Sequence, residues 1–260
     1  MDIIIIVNLI FNGEYNGLAD LNDDAILNVV DILEIVNVLI YGWIPLYPEN
    51  ILFIGNSYTY FNGGIHNHLT SFVEEKIPEL ELNASAITMG GATLQSHYGN
   101  MNTMNTIEFG DWDYVILQEQ STRPVDNPEM FYLYAELMNE VITNSGAETM
   151  FFMTWAREYD PGMIEGLAEA YNSIGGQLEA DVCPVGRAWQ LALEQNPQIN
   201  LYSNDGSHPN VKGTYLTVCL FYSCLFGETP MGIEFVNDQS IIEEERLFLQ
   251  TIAWQTYLQD

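Results

Sequence analysis

A serine follows a short apolar run near the start of the main body of the chain. The run 51–54, with sequence I-L-F-I, ends in Gly55, and Ser57 lies two residues beyond that glycine. A short apolar run bounded by glycine predicts a buried strand of a parallel sheet. Chemistry in such sheets takes place at the carboxyl ends of the strands. Ser57 is therefore a candidate nucleophile, although a turn serine that caps a helix is the commoner role.

A candidate base and its orienting acid lie about 150 residues later. Asp205 precedes His208 by three residues, so one short turn can hold both side chains. The carboxylate would fix the tautomer of the imidazole while the other ring nitrogen faces a serine hydroxyl, which is a poor nucleophile without a base. Taken alone, this spacing is equally typical of a surface loop, with Pro209 at a helix start. Together with Ser57, it predicts a nucleophile, a base and an acid.

The order of short motifs along the chain resembles that of the SGNH (GDSL-like) hydrolases. G-N-S-Y-T at 55–59 is similar to their first block, with Asn56 where Asp is more usual, and D-G-S-H-P at 205–209 is similar to their last. G-G-A-T at 90–93 resembles the second block, whose glycine amide serves the oxyanion hole. The resemblance covers roughly residues 50–230. L-Q-E-Q-S and M-T-W-A (153–156) further resemble a branch of secreted bacterial SGNH proteins near the carbohydrate esterases.

The third block departs from the pattern of this family, which uses an asparagine side chain as an oxyanion donor. The corresponding strand here runs into Gln118 and Gln120, which point to the same side of it. Alignment of the strand favours Gln120, and Gln118 is its rival, while either is equally a polar residue that caps the strand end. The resemblance thus implies an oxyanion hole formed by the amides of Ser57 and Gly91 with one of these two glutamines.

Aromatic and cationic residues near these motifs are candidates for substrate binding. Tyr58 and Tyr60 lie beside the serine, and Trp155 and Arg157 follow the predicted fourth strand. An indole ring can stack on a sugar, and a guanidinium can hold a carboxylate. The alternative for each is ordinary packing at the rim of the site. Tyr58, Trp155 and Arg157 are the predicted substrate contacts.

The remaining histidines receive no catalytic role. His66 and His68 are close in sequence, which is the only feature that suggests a metal, and a serine, histidine and aspartate site needs none. His97 follows the glycine block and is expected at the polar surface. No catalytic cofactor is therefore predicted.

Strand-like and helical segments alternate after residue 50, which predicts a parallel sheet covered on both faces. A three-layer α/β/α sandwich with a five-stranded, flavodoxin-like sheet is also what the resemblance implies. Strands are expected near 50–54, 83–89, 113–118, 148–154 and 180–185. Helices are expected near 63–76, 128–144, 161–177, 187–195, 210–226 and 239–258.

The composition limits the classes of partner. The 260 residues are 48% hydrophobic, enough for a substantial core, and carry six Lys+Arg against 36 Asp+Glu, a formal net charge of −30. Such a surface repels phosphate backbones and anionic lipid, so neither nucleic acid nor a membrane is an expected partner. No apolar stretch approaches the ~18 residues of a membrane span. The three cysteines lack metal-ligand spacing and are expected to be buried.

The acidic segment 20–31 matches the ligand spacing of an EF-hand calcium loop. Oxygen-bearing side chains occupy loop positions 1, 3, 5, 9 and 12, and a backbone carbonyl serves position 7. Ala25 stands at position 6, where glycine is expected. The alternative is an acidic turn before a helix. The predicted ligands of a structural Ca²⁺ are Asp20, Asn22, Asp24, Ile26, Asn28 and Asp31.

An internal repeat places this loop in a small helical module. Segment 2–10 resembles 31–39 at an offset of 29 residues, and Asp at position 12 with one helix after each loop resembles a type I dockerin whose first repeat is truncated. The predicted organisation is a dockerin-like module at 1–43, a proline-containing linker at 44–50 and an SGNH hydrolase domain at 51–260. The module would bind a cohesin-like protein or pack within its own chain; Val29 and Val30 at recognition positions favour the latter.

The sequence as a whole predicts a secreted bacterial serine esterase that acts on an ester, with O-acetyl groups of a polysaccharide as the substrate favoured by the resemblance. Two alternatives remain. One is a generalist lipase or thioesterase that uses the same site. The other is a calcium-dependent docking protein whose hydrolase domain is inert, which the altered third block would explain.

Overall fold

A computed structural model describes residues 3–13, 15–16, 19, 26–33, 36 and 47–259. The chain divides into two compact units, Met1–Leu46 and Tyr47–Asp260. In the first unit, helix α1 (Ile3–Asn12) precedes a second helical segment at 29–33. No helix among the described residues is long and apolar enough to cross a membrane.

The described part of the second unit contains a five-stranded sheet. The strands are β1 (Asn50–Gly55), β2 (Asn83–Thr88), β3 (Tyr114–Leu117), β4 (Glu148–Phe152) and β5 (Asp181–Cys183), in the order β2-β1-β3-β4-β5. All four neighbouring pairs are parallel, with Ile54 opposite Ile87 on one side and Leu117 on the other. The predicted α/β architecture is confirmed, and each strand lies where the apolar pattern placed it.

Helices connect the strands. They are α2 (Ser57–Tyr60), α3 (Ile65–Lys76), α4 (Leu94–Tyr98), α5 (Met101–Phe109), α6 (Arg123–Asp126), α7 (Pro128–Asn144), α8 (Met163–Leu178), α9 (Val185–Gln195), α10 (Val211–Phe226) and α11 (Glu243–Tyr257). The sequence predicted the six longer helices from α3 to α11 but not α2, α4, α5 or α6. These four are short, and α5 buries only Thr103 and Ile107, too few apolar positions for a helical period.

Alternate residues of each strand face opposite layers, as the two-residue period of a strand requires. Ile51 and Phe53 of β1 belong to a core covered by α3, α9, α10 and α11, whereas Leu52 and Ile54 belong to one covered by α4, α5, α7 and α8. Burial on both faces explains why β1 is apolar throughout. Because the strands are parallel, the loops after β1, β2, β3 and β4 leave the sheet at one edge, where the sequence placed the candidate chemistry.

Candidate active site

Ser57 is the first residue of α2, directly after β1. The Asn56 side chain caps this helix by accepting a hydrogen bond from the Tyr58 N–H, so α2 begins as soon as the strand ends. Gly55 has no room for a side chain, since a Cβ there would lie 2.5 Å from Thr59 Oγ1. The tight turn directs the Ser57 hydroxyl out of the carboxyl edge of the sheet.

A continuous chain of hydrogen bonds joins the three residues on which the sequence analysis depends. His208 Nε2 lies 2.8 Å from Ser57 Oγ, and His208 Nδ1 lies 2.5 Å from Asp205 Oδ2. With the Nδ1 proton donated to the carboxylate, Nε2 is left to accept the serine proton. A nucleophile bonded to a base that a third group orients is the arrangement used for acyl transfer.

The turn that carries His208 is organised by Asp205. Its Oδ1 accepts hydrogen bonds from the N–H groups of Ser207 and His208, while Oδ2 faces the imidazole. Gly206 adopts a left-handed φ of +65°, which allows the turn to close. The hydrogen bond with His208, helped by the two backbone bonds, lowers the pKa of Asp205 to about 2. The carboxylate therefore stays ionised and oriented toward the ring.

Two aromatic rings fix the imidazole plane. Phe61 stacks on the His208 ring with centroids 4.3 Å apart, and Tyr58 meets it edge-on at 5.7 Å. Asn62, in a left-handed conformation with φ of +53°, donates from Nδ2 to the Pro209 carbonyl and to Thr214 Oγ1. The segment after the serine is thus bonded to the segment after the histidine. Neither Phe61 nor Asn62 was predicted as a site residue, although Asn-Gly-Gly at 62–64 is a turn signal.

Tyr58 does not have the accessible ring expected of a substrate contact. Its side chain is buried, its ring stacks on Trp155 at 4.4 Å, and its hydroxyl lies 2.9 Å from Ser207 Oγ. Burial raises the pKa of this phenol. Tyr58 therefore links α2 to the turn that carries His208.

Trp155 is the clearest correction to the predicted substrate contacts. It is 1% exposed and lies between the rings of Tyr58 and Trp189, at 4.4 and 4.0 Å. Its indole N–H donates to the Ser207 carbonyl. Because both faces of the ring are covered by protein, it cannot stack on a sugar. An aromatic residue after a strand predicts the edge of the sheet, but not whether the ring turns inward.

Arg157 lies at the site, and no acidic side chain among the described residues forms an ion pair with its guanidinium. Its Nη2 donates to Ser121 Oγ at 2.7 Å, and its Cζ lies 5.9 Å from the centroid of the Tyr58 ring. Within the described residues it forms no ion pair, in a chain with 36 acidic residues. This half-buried guanidinium remains a candidate contact for a substrate oxygen.

Two exposed tyrosines flank the site. Tyr60, at 40% exposure, is the last residue of α2, and Tyr159, at 76%, lies in the turn after β4. That turn is bonded to the histidine turn through Glu158 N–H and the Gly206 carbonyl at 2.9 Å. The sequence analysis considered Tyr60 but missed Tyr159, because nothing in its local pattern distinguishes an exposed ring from a buried one.

Gln118, one of the two candidate oxyanion donors, is buried under the nucleophile turn. Its Oε1 accepts hydrogen bonds from Asn56 N–H and Thr59 Oγ1, and its Nε2 donates to the Glu119 carbonyl at 2.5 Å. These bonds position α2 against β3. The side-chain N–H group is engaged by the backbone, so the geometry disfavours Gln118 as an oxyanion donor.

Gln120 is held differently. Its Oε1 accepts from the N–H groups of Thr122 and Arg123, while its Nε2 has only a long contact of 3.5 Å with Ser121 Oγ. Gly91, the other predicted contributor, follows β2 with a left-handed φ of +66° that suits glycine. Gln120 and Gly91 stay the predicted partners of the Ser57 amide.

His97 is buried, so its expected place at the surface is wrong. It is fully excluded from solvent, with Nε2 2.9 Å from the Gly55 carbonyl and Nδ1 3.3 Å from Thr103 Oγ1. Burial lowers the pKa of the ring. The error follows from the failure to predict α4, since only the helix turns this side chain toward β1. His97 supports the turn that carries the nucleophile.

Other residues with metal-binding chemistry are dispersed. His68 Nε2 lies 2.7 Å from the Asn62 carbonyl, and burial lowers the pKa of both His66 and His68. In the part of the chain that the structure describes, no three His, Cys, Asp or Glu side chains form a metal cluster. Cys183 and Cys219 are buried as expected, whereas Cys224 is half-buried.

The predicted calcium loop is only partly described. Asp20, Asn22 and Asp24 lie outside the described residues. In the remainder, Asn28 Oδ1 accepts from the Val30 N–H and Asp31 Oδ2 accepts from the Asn28 N–H, both at 2.8 Å. The Ile26 carbonyl accepts from Asn28 Nδ2 at 3.2 Å. This is a reciprocal cap at the start of a helix, which a calcium loop and an ordinary acidic turn share.

No protein-family model and no curated protein matches this sequence. Several solved structures are similar to the fold of this chain. A candidate SGNH hydrolase from Slackia heliotrinireducens is 22% identical with a TM-score of 0.57, over 67% of this chain and 97% of its own. A DUF4886 family protein from Bacteroides uniformis is 16% identical with a TM-score of 0.63, over 80% and 94%. The acetyl xylan esterase AlAXEase is 14% identical with a TM-score of 0.58, over 68% and 99%. The chain therefore has an SGNH-like α/β fold.

Proposed function

We propose that this protein is a serine esterase that removes O-acetyl groups from polysaccharide. The observation that carries the proposal is the hydrogen-bonded series from Ser57 through His208 to Asp205, with heavy-atom distances of 2.8 and 2.5 Å. These three side chains lie at the carboxyl edge of a sheet whose fold is shared with hydrolases of this kind. The geometry matches what nucleophilic acyl transfer needs before any substrate is bound.

In the first half of the reaction, Ser57 Oγ attacks the carbonyl carbon of the ester while His208 Nε2 takes the serine proton. Asp205 stabilises the imidazolium that forms. The negative charge on the carbonyl oxygen is held by the amides of Ser57 and Gly91 and by the Gln120 side chain. The tetrahedral intermediate collapses when the imidazolium returns its proton to the sugar oxygen. The sugar hydroxyl leaves, and an acetyl group remains on Ser57.

In the second half, a water molecule attacks the acetyl carbonyl and gives one proton to His208 Nε2. The second tetrahedral intermediate breaks its bond to Ser57 Oγ, which recovers the proton from the imidazolium. Acetic acid is released and the hydrogen bond between Ser57 and His208 is restored. Each oxyanion donor is worth about 10²–10³ in rate in enzymes of this chemistry.

Features around the site favour a small acyl group on a carbohydrate. One structure of the same fold is an acetyl xylan esterase. Tyr60 on α2 and Tyr159 in the turn bonded to the histidine turn have exposed rings, which suits the binding of a sugar chain. An apolar cavity of about 230 Å³ lies beside α9, but Ser57 and His208 are not among its lining residues. A long acyl chain attached to Ser57 would not be housed there.

The test is hydrolysis of p-nitrophenyl acetate and release of acetate from acetylated xylan. Ser57→Ala should abolish both, while Ser71→Ala, a serine on α3 outside the site, should leave both unchanged. A fluorophosphonate probe should label the wild type at the peptide that contains Ser57. Unchanged turnover in Ser57→Ala would rule out the mechanism. A preference for long-chain over acetyl esters would favour the lipase alternative.

We further propose that segment 20–31 binds a structural Ca²⁺ and that the protein works outside the cell. Support comes from hard oxygen donors at the loop spacing that calcium uses, including Asn28 and Asp31 at a helix start. In the full-length protein, Ca²⁺ should raise the melting temperature more than Mg²⁺ does, and Asp24→Ala should remove that increase. Equal melting temperatures in calcium and in chelator would reject the site. The module would bind either a cohesin-like protein or its own chain. Pull-down with and without calcium tests the first of these partners.

A further inference from the structure

Glu119 is a buried carboxylate at the carboxyl end of β3. It is fully excluded from solvent, although an acidic side chain is rarely buried without a paired charge. Its Oε1 accepts two backbone hydrogen bonds, from the Gln120 N–H at 2.6 Å and from the Leu94 N–H at 3.2 Å. The proposed mechanism leaves this group without a role.

The two backbone groups belong to the two arms of the proposed oxyanion hole. Leu94 is the first residue of α4 and directly follows the 90–93 segment that carries Gly91. Gln120 supplies the side-chain donor of the third block. One carboxylate oxygen therefore joins the segment after β2 to the segment after β3. The strands β2 and β3 lie on opposite sides of β1 in the sheet.

We propose that Glu119 is a positioning residue, whose ionised carboxylate clamps these two loops together and thereby sets the spacing of the oxyanion donors. The inference rests on the proposed esterase function. Hydrogen bonds to an ionised acceptor are about twice as strong as those to a neutral one. Loss of the charge would weaken both bonds at once, and the two donors would move relative to Ser57.

The surroundings of Glu119 make its charge sensitive to pH. Burial raises the pKa of the carboxyl to about 7, against the opposing effects of the two backbone bonds and the Arg123 charge. Its Oε2 has no hydrogen-bond partner among the described residues, so hydrogen bonds stabilise the charge at only one of the two carboxylate oxygens. The clamp is therefore expected to be weak below pH 7 and strong above it.

Titratable side chains from two other elements interact with the Glu119 charge. Arg123 of α6 favours its ionisation. Tyr171 of α8 is fully buried, and the Glu119 charge contributes to raising the pKa of that phenol, so Tyr171 stays neutral. Arg123, with its Nη2 on the Gln95 side chain, is the only cation of this group.

The experiment compares Glu119→Gln with the wild type between pH 5 and pH 9. Glutamine keeps the shape and one acceptor oxygen but cannot ionise. We expect kcat at pH 8.5 to fall by about 10- to 100-fold, with KM within about twofold, because donor placement matters in the transition state. Because protonation of Glu119 weakens the clamp in the wild type as well, the ratio of wild-type to Glu119→Gln kcat should fall toward 1 as the pH is lowered below 7. Glu129→Gln, which removes an exposed carboxylate on α7, should leave the profile unchanged.

A second measurement does not depend on hydrolysis. In the spectrum of protein with ¹³C-labelled glutamate side chains, the carboxyl signal that Glu119→Gln removes should titrate near pH 7 in the wild type. A Glu119 carboxyl that stays protonated up to pH 8.5, or a wild-type kcat in Glu119→Gln at that pH, would overturn the inference while the esterase function stood. Failure of the function itself would appear differently, as activity that survives in Ser57→Ala.

Discussion

The phenol oxygen of Tyr58 lies 2.9 Å from the hydroxyl oxygen of Ser207. These residues are the immediate neighbours of Ser57 and His208, whose own contact is 2.8 Å. Two hydrogen bonds thus run side by side between the nucleophile helix and the histidine turn. The first is buried, whereas the second is partly open to solvent and is the one that breaks in the proposed reaction.

Removal of the buried bond should loosen the catalytic contact without abolishing it. A hydrogen bond of this kind contributes about 1 kcal/mol, and the Ser207 hydroxyl would be left unpaired. We expect Tyr58→Phe to lower kcat by about five- to tenfold and the free energy of unfolding by about 1–2 kcal/mol. Steady-state kinetics and urea unfolding measure the two effects. Ser207→Ala on the Tyr58→Phe background should add little, since the partner is already lost.

Asp205→Asn tests the orienting role of the acid. The amide cannot accept the Nδ1 proton as a carboxylate does, so the imidazole would take the other tautomer and present Nε2–H to Ser57. We expect kcat to fall by about 10³–10⁴ while the fold is retained. Labelling by the fluorophosphonate probe should slow in parallel. An activity within tenfold of the wild type would contradict the assignment.

Trp155 should behave as a structural residue. It fills the space between Tyr58 and Trp189 and satisfies the Ser207 carbonyl. Trp155→Ala should lower the free energy of unfolding by about 3–5 kcal/mol, as for other large buried aromatic residues. Urea unfolding measures this loss. A change below about 0.5 kcal/mol, the usual size for an exposed site, would show that the ring does not stabilise the fold.

For Tyr159→Ala we expect an effect on substrate binding and none on stability, the opposite of Trp155→Ala. Its ring is 76% exposed, so stability should change by less than about 0.5 kcal/mol. If the ring stacks on sugar, KM for acetylated xylan should rise by about three- to tenfold, while KM for p-nitrophenyl acetate stays the same. Equal effects on the polymer and the small ester would argue against carbohydrate binding by this residue.

The free energy of unfolding should decrease as the pH rises, because of Glu119. Its pKa in the folded protein is raised to about 7 from an ordinary value of 4.5, so the folded state binds its proton more tightly than the unfolded state. The contribution of Glu119 to the free energy of unfolding is fully present below pH 4.5 and is lost between pH 4.5 and 7. Above pH 7 no further loss from this group is expected. The loss is up to about 3 kcal/mol. Urea unfolding at pH 5 and pH 8 should show a smaller decrease in Glu119→Gln than in the wild type; an equal decrease would contradict this assignment.

The strands and the longer helices were predictable because each buries a regular set of apolar residues. The run 51–54 is apolar on both faces, as a central parallel strand must be. The pairing of Ser57 with His208 was inferred from motif order and from the rule that chemistry gathers at one edge of the sheet. Both inferences use patterns that are local in sequence, or that topology makes general.

The errors have a common cause in side-chain direction. Trp155 was predicted to contact substrate and His97 to lie at the surface, but both are buried by tertiary contacts that no sequence periodicity reports. Glu119 was passed over within its motif, since only the structure shows that it bonds the backbone at Leu94. Phe61 and Asn62 were missed for the same reason, as their partners lie about 150 residues away.

The hydrogen bonds that Asp205 makes to the Ser207 N–H, the His208 N–H and the His208 ring lie within four residues, whereas the contact from His208 to Ser57 spans 151 positions of the chain. Local loops close quickly during folding, and distant ones close late. The acid and base can therefore come together before the sheet is complete, while the nucleophile joins them only at the end. Regain of esterase activity after dilution from denaturant would then report the last step of refolding, later than the return of helical circular dichroism.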